Sequence, residues 1–189
     1  GSEMCIRDRL LACRKFDLDN DHRLKRLSRE KGIANTKPVI INRLSHIKVR
    51  EIVTKLGLDS TQLSEKQINL LSVPLHLGLL SEIAESKTID VLNFQTAKEL
   101  YDEFLQQKTD KIKVHLGHSI QWTKVIDVLC DYMSSEQQQS LSAHETVVDE
   151  FKSDARAMAS EHILIWQNKR ISFFHESFFD YAFARRFAY

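Results

Sequence analysis

Ser172-Phe173-Phe174-His175-Glu176-Ser177-Phe178-Phe179-Asp180-Tyr181-Ala182-Phe183-Ala184-Arg185-Arg186 is the stretch on which the reading of this chain turns. Six of the ten phenylalanines fall between positions 173 and 187, and one histidine sits among them. Residues 171–174 read as a strand that feeds directly into an aromatic-faced helix, with His175 at the junction. A helix start carries unpaired N–H groups and a partial positive charge, which suits an anion such as phosphate. His175 is therefore a candidate phosphate contact. The competing reading is a core histidine satisfied among the rings. Phe179, Ala182, Phe183 and Phe187 read as core packing, and Arg185-Arg186 as a solvated face.

Upstream of this stretch the local signals are clear. Residues 162–166 and 170–174 read as two strands joined by Gln167-Asn168-Lys169, where Asn tolerates the left-handed conformation. Trp122, Val125, Ile126, Leu129, Tyr132 and Met133 fall on one helical stripe. Three capping boxes each pair a Ser or Thr with Glu or Gln three residues later. Ser64 with Gln67 predicts a helix to Leu71, Thr96 with Glu99 one carrying Leu100, Tyr101, Phe104 and Leu105, and Ser142 with Glu145 a third. Pro74 fits the first turn of a helix to Glu85, where its missing N–H costs nothing. Val49, Ile52, Val53 and Leu56 form a further helical face after Ser45, stopped by Gly57. The C-terminal third thus reads helix, helix, helix, hairpin, helix, a winged-helix-like order, with a weak boundary near Gly117-His118.

Towards the N-terminus, Pro38-Val39-Ile40-Ile41 reads as a brief buried strand, and Asp19-Asn20-Asp21 as the cap of a helix ended by Gly32. Leu10-Leu11-Ala12-Cys13 reads as the end of another buried strand. The first eight residues, Gly1-Ser2-Glu3-Met4-Cys5-Ile6-Arg7-Asp8, match an in-frame translation of a transposon-end sequencing adapter. Residues 1–9 are set aside as a scar on that ground, and the natural protein is expected to extend upstream of Leu10.

Composition narrows the class. Five glycines and two prolines in 189 residues favour helices. Twenty-seven basic against 26 acidic residues give a net charge of +1, so no global field draws the chain to nucleic acid or anionic lipid. Cys13 and Cys130, outside the scar, suit a reducing compartment and carry no metal-binding spacing. No apolar run approaches membrane-spanning length. A cytoplasmic protein with no membrane partner is the expectation.

Taken together, the segments from 10 to 189 resemble the later part of a STAND-class P-loop NTPase, of the NACHT-like or related bacterial AAA type. Leu10-Leu11-Ala12-Cys13-Arg14 resembles the sensor-I strand, whose terminal arginine faces the terminal phosphates. Ser72-Val73-Pro74-Leu75-His76-Leu77 is similar to the motif whose proline packs near adenine. The run from Phe173 to Tyr181 resembles the winged-helix motif whose histidine reaches the ADP β-phosphate. The resemblance implies a mainly α architecture: a remnant of the α/β nucleotide-binding core over 10–43, a helical domain over 44–117 and a winged-helix domain over 118–189. It also implies Arg14, Pro74 and His175 as nucleotide contacts, with ATP or ADP and Mg in the parent protein. The implied partners are the missing N-terminal NTPase core in cis and further copies of the full-length protein.

There is no G-x-x-x-x-G-K-[ST] and no strand ending in acidic Mg ligands, so the fragment is expected to be catalytically inactive alone. A winged-helix DNA-binding regulator is the alternative. It is disfavoured because the candidate recognition helix, 152–160, offers only Lys152 and Arg156, with Asp154 between them. No nucleophile–base pair points to a separate enzyme.

The parent gene is expected to encode a Walker A loop and an acidic-ended strand upstream of Leu10. Assembly of overlapping reads across that junction tests this, and an open reading frame with no phosphate-binding loop there overturns the nucleotide-switch expectation.

Overall fold

The computed structural model describes residues 39–86, 91–135 and 141–187, together with Asn20 and His22. The strand expected over 10–13, Arg14 and most of the helix expected after Asp19 lie outside the described residues. By contacts the chain divides into Gly1–Asn42 and Arg43–Tyr189. In the first unit, Asn20 and His22 are helical, and residues 39–42 have no regular secondary structure. Of the strand expected over 38–41, the described residues 39–41 do not form one. Val39 and Ile41 are more than four-fifths exposed and Ile40 is exposed as well. A β-branched run needs a ladder beside it to be a strand, and none of the described strands pairs with this one.

The second unit is mostly helical. Helix α1 (His46–Lys55) starts where Ser45 accepts from the Lys48 amide and buries Val49 and Val53. It ends in a left-handed Gly57 (φ 78°), after which the Leu58 amide returns to the Val53 carbonyl. Helix α2 (Glu65–Leu71) carries the Ser64–Gln67 capping box. The buried Gln67 amide also donates to the Leu92 and Phe94 carbonyls at 2.7 and 2.9 Å, so one side chain both caps a helix and ties down a loop. Pro74 opens α3 (Pro74–Ser86). The twenty-residue α4 (Ala97–Leu116) starts at the Thr96–Glu99 box and stops at Gly117, φ 71°.

Helices α3 and α4 are tied together by the Gln107 amide, which donates to the Ile83 carbonyl at 2.9 Å, and by Lys108. The Lys108 ammonium is almost fully buried, 2.5 Å from Glu82 on α3 and 4.0 Å from Glu161 beyond α4. A buried charge is tolerated only when paired.

Helix α5 (Trp122–Ser135) buries Val125, Ile126, Leu129 and Met133 of the stripe read from the sequence, and Cys130 beside them. The next segment departs from expectation. The Ser142–Glu145 pair does not start a helix. Residues Ser142–His144 form strand β1, paired with a later strand, and Glu145–Phe151 form a 3-10 segment capped by His144. The Glu145 carboxylate, instead of reaching back to Ser142, accepts from Trp166 Nε1 at 3.0 Å. A local capping preference of about 1 kcal/mol yields here to a strand ladder and a side-chain bond made across 21 residues.

Helix α6 (Lys152–Ser160) leads into β2 (Leu164–Gln167) and β3 (Arg170–Phe173). The turn between them is two residues rather than three. Asn168 and Lys169 both have positive φ, 50° and 62°, as a type I′ hairpin requires. All three strands are antiparallel in the order β1-β3-β2, with Ala143 opposite Ile171 and Ile171 opposite Trp166. Helix α7 (Glu176–Arg185) closes the unit.

Phe178 on α7 is fully buried. Its ring lies within 5.0–5.7 Å of Phe174, Tyr181, Tyr101 and Phe173, and 6.4 Å from Phe104. Five rings from β3, the junction after it, α4 and α7 thus converge on one side chain. Truncation to Phe178→Ala is expected to cost about 3–5 kcal/mol, the range for deleting a buried aromatic that cannot be refilled. Equilibrium urea unfolding measures it, and a loss below about 1 kcal/mol contradicts this account of the core.

Candidate functional site

The junction between β3 and α7 is open to solvent. A cleft of ≈ 450 Å³ lies over it, lined by Leu141, Ser142, Ser172, Phe173, Phe174, His175, Glu176 and Phe179. Its floor is aromatic, its hydroxyls come from the facing strands β1 and β3, and its two ionisable groups are His175 and Glu176. Ser142 and Ser172 stand opposite one another because they are register partners in the ladder. That pairing depends on β1, where local sequence signals point to a helix start instead.

His175 is exposed and has extended backbone angles (φ −152°, ψ 147°), as an N-cap residue should. Its Nδ1 accepts from the Ser177 amide at 3.1 Å. The histidine is therefore not a packed core residue. It is a cap, and it consumes one of the helix-start donors that the sequence alone leaves available to a ligand. The Phe178 and Phe179 amides also turn back to the His175 carbonyl, at 3.1 and 3.2 Å.

The cap has a chemical consequence. With Nδ1 as acceptor, the neutral imidazole carries its proton on Nε2. Nε2–H is thus a fixed-tautomer donor on an exposed ring, suited to a phosphate or carboxylate oxygen. Glu176, in the same first turn, adds a carboxylate to the cleft wall and disfavours a second anion beside it.

Pro74 occupies the start of α3, exposed, and is not among the cleft-lining residues. Tyr101 of α4 connects the neighbourhoods of Pro74 and His175. Its ring is edge-on to His76 at 6.1 Å, edge-on to Phe178 at 5.7 Å and stacked on Tyr181 at 5.0 Å. Arg14 lies outside the described residues.

A polar cluster secures α7 against α4 and α5. Tyr181 Oη donates to Asp102 Oδ1 at 2.5 Å, Arg185 donates to Tyr181 Oη at 3.0 Å, and Lys98 reaches Asp102 at 2.7 Å. Arg185 also lies over the Trp122 ring at 5.0 Å, and Arg186 pairs with Asp127 and Asp131. Partial burial works against ionisation of Asp102. The Lys98 and Tyr181 hydrogen bonds and the nearby cations outweigh it and hold the carboxyl below its ordinary range. The Tyr181 phenol is pushed up, first by burial and then by the bond to Asp102. Arg185 and Arg186 are therefore not a solvated face: Tyr181 lies one turn from Arg185, but Trp122, Asp102, Asp127 and Asp131 are too far away in sequence to be read there.

Other groups are chemically quiet. Burial pushes the Cys130 thiol up to about 12, so it is not a nucleophile at neutral pH. Among the described residues no three His, Cys, Asp or Glu side chains gather as a metal-binding group. No helix there is long and apolar enough to cross a membrane. On α6, Lys152 pairs with Asp149 at 3.5 Å, Arg156 lies over the Trp166 ring at 5.7 Å, and Asp154 accepts from the Gln121 amide at 2.9 Å. Comparisons with protein-family models, with curated proteins and with solved structures found no match for this chain.

If His175 works as a cap, His175→Ala is expected to lower stability by about 0.5–2 kcal/mol, while His175→Asn, an efficient cap, recovers most of it. Paired urea titrations check this. Equal losses in both variants would return His175 to a packing role.

Proposed function

We propose that this chain is the C-terminal part of a nucleotide-gated switch of the STAND type, in which a winged-helix unit over 118–189 closes on ADP held by an NTPase core in cis. The observation that carries the reading is His175, an exposed imidazole at a strand–helix junction whose Nδ1 is engaged, which leaves Nε2 to carry the proton of the neutral ring. The order α5, β1, 3-10 segment, α6, β2, β3, α7, with strands arranged β1-β3-β2, supports the winged-helix part of it. Pro74 at the start of α3 is compatible with an adenine contact.

In this reading His175 donates to the β-phosphate only when the unit is closed. A contact made in one state alone is what lets a nucleotide bias a two-state equilibrium. Residues 10–43 then belong to the nucleotide-binding core, Arg14 faces the terminal phosphates, and residues 44–117 are the helical domain between core and latch. The bound nucleotide brings its own charge and Mg. The described residues contribute one exposed imidazole donor, a cleft and the aromatic support beneath them. Opening would free the full-length protein to assemble with further copies in the cytoplasm. The DNA-binding alternative is weakened by α6, where Lys152 and Arg156 already have partners and Asp154 caps a neighbouring turn.

In the full-length protein, His175→Ala and His175→Asn should both speed ADP release about ten- to a hundredfold, the value of a hydrogen bond to a charged group. Only the alanine variant should lose the cap. Stopped-flow release of a fluorescent ADP analogue measures this, and an unchanged off-rate in His175→Asn removes His175 from the latch.

A further inference from the structure

Lys108 is a buried charge that the nucleotide contacts do not use. Its side chain is 7% exposed, and its ammonium meets two carboxylates unequally. Glu82 Oε2 on α3 lies at 2.5 Å and Glu161 Oε2, at the end of α6, at 4.0 Å. The second oxygen of Glu161 stands 3.6 Å from His115 Nδ1. Two positions on α4 thus reach for the one side chain that ends α6.

The residue after it is strained. His162 has φ 61°, in the left-handed region that a helix stop usually gives to glycine. Two backbone bonds close the turn, from the His162 amide to the Ala159 carbonyl at 3.1 Å and from the Ile163 amide to the Met158 carbonyl at 3.0 Å. The charge contact and the strained backbone therefore fall on adjacent residues, between α6 and β2.

We propose that Glu161-His162 is a clasped hinge, shut by Lys108 and built to open without stranding a charge. A buried ammonium stripped of every partner is costly. Lys108 avoids that state, because Glu82 holds it whether or not Glu161 is in place. Release takes Glu161, whose side chain is already 17% exposed, into water. His162 then leaves the left-handed region. The pairing of α4 with α3 is the permanent one, and its hold on the end of α6 is the one that gives. Helix α7 is seated by separate contacts, Phe178 near Phe104 and Tyr181 on Asp102, so the α6–β2 turn shifts while α7 stays in place. The use of this movement, as the point where the winged-helix unit first yields on opening, rests on the nucleotide-switch reading. The hinge itself is testable without nucleotide.

The test is native-state hydrogen exchange on the complete chain, read at the His162 and Ile163 amides, whose bonds report the shut turn. The Phe178 and Phe179 amides, bonded to the His175 carbonyl, are the reference for α7. Glu161→Gln is expected to speed exchange at His162 and Ile163 about fivefold, the upper value for a partly exposed ion pair, and to leave the reference amides unchanged. His162→Gly relieves the backbone and should slow the same two amides about fivefold.

Glu82→Gln is the deciding variant. It leaves Lys108 no carboxylate but Glu161, so opening would now strand the ammonium. Exchange at His162 and Ile163 should therefore slow, even though the unfolding midpoint falls. A merely structural cluster predicts the reverse, since weakening it loosens every contact nearby. Unchanged or faster exchange in Glu82→Gln overturns the proposal, as does an unchanged rate in either of the other variants. Should Glu82→Gln fail to fold, Glu161→Gln decides: acceleration spread equally to the Phe178 and Phe179 amides is global loosening and overturns the hinge. A negative result here leaves the ADP off-rate test of His175 standing, so the two failures are distinguishable.

Discussion

The packing of Phe178 against the aromatic face of α4 is the contact on which the second unit depends. The sheet is small, β1 contributes only three residues, and the hairpin could not persist alone in water. What holds it is the junction: β3 delivers Phe173, the next residue is Phe174, and α7 returns Phe178 and Tyr181 to the same cluster. Each ring contact adds roughly 0.5–1.5 kcal/mol beyond simple burial. Phe174, Phe178 and Tyr181 meet Tyr101 and Phe104 on α4, and Phe173 joins them through Phe178.

Electrostatics then sharpens a fit that apolar packing would leave loose. Asp102 on α4 receives Tyr181, Lys98 and the nearby Arg185, while Arg186, the next residue, goes to α5. Lys108, two turns along α4, meets carboxylates from α3 and from the end of α6. Glu161 is an acid at a helix C-terminus, where the helix dipole disfavours it; the ammonium of Lys108 offsets that cost. The Lys108 pairing is specific because a wrong register would leave its buried ammonium without a partner.

Much of the helical framework was legible in the sequence because its signals are local. Ser64 with Gln67, Thr96 with Glu99, Ser45, Pro74, Gly57 and Gly117 all act within a turn of where they sit, and each does what its chemistry suggests. The failures share a cause. Ser142 and Glu145 have the right spacing for a cap, but pairing with β3 and the bond to Trp166 decide their state, and neither is local. The exposed run from Val39 to Ile41 looks like a strand and has no ladder among the described residues. At the site, the strand–helix junction and His175 were legible from aromatic clustering. That the imidazole caps its own helix was not, since only the placement of the ring shows that its Nδ1 meets the Ser177 amide. Tyr101 and Asp102 read as ordinary helix residues, and the Tyr181 ring and hydroxyl that meet them lie beyond any spacing rule.

Helix α4 spans about 30 Å at 1.5 Å per residue, and it is shared. It packs on α3, α6 and α7 at once, and Tyr101 alone meets both His76 of α3 and Tyr181 of α7. A shared wall of this kind makes melting a collective event. Neither the helices before Gly117 nor the strands after it can shed their neighbours and keep a closed core, because each would expose the face of α4 that the other covers. A chain split at Gly117 would therefore give two pieces with open apolar sides, and solvent denaturation of the intact unit should follow one slope.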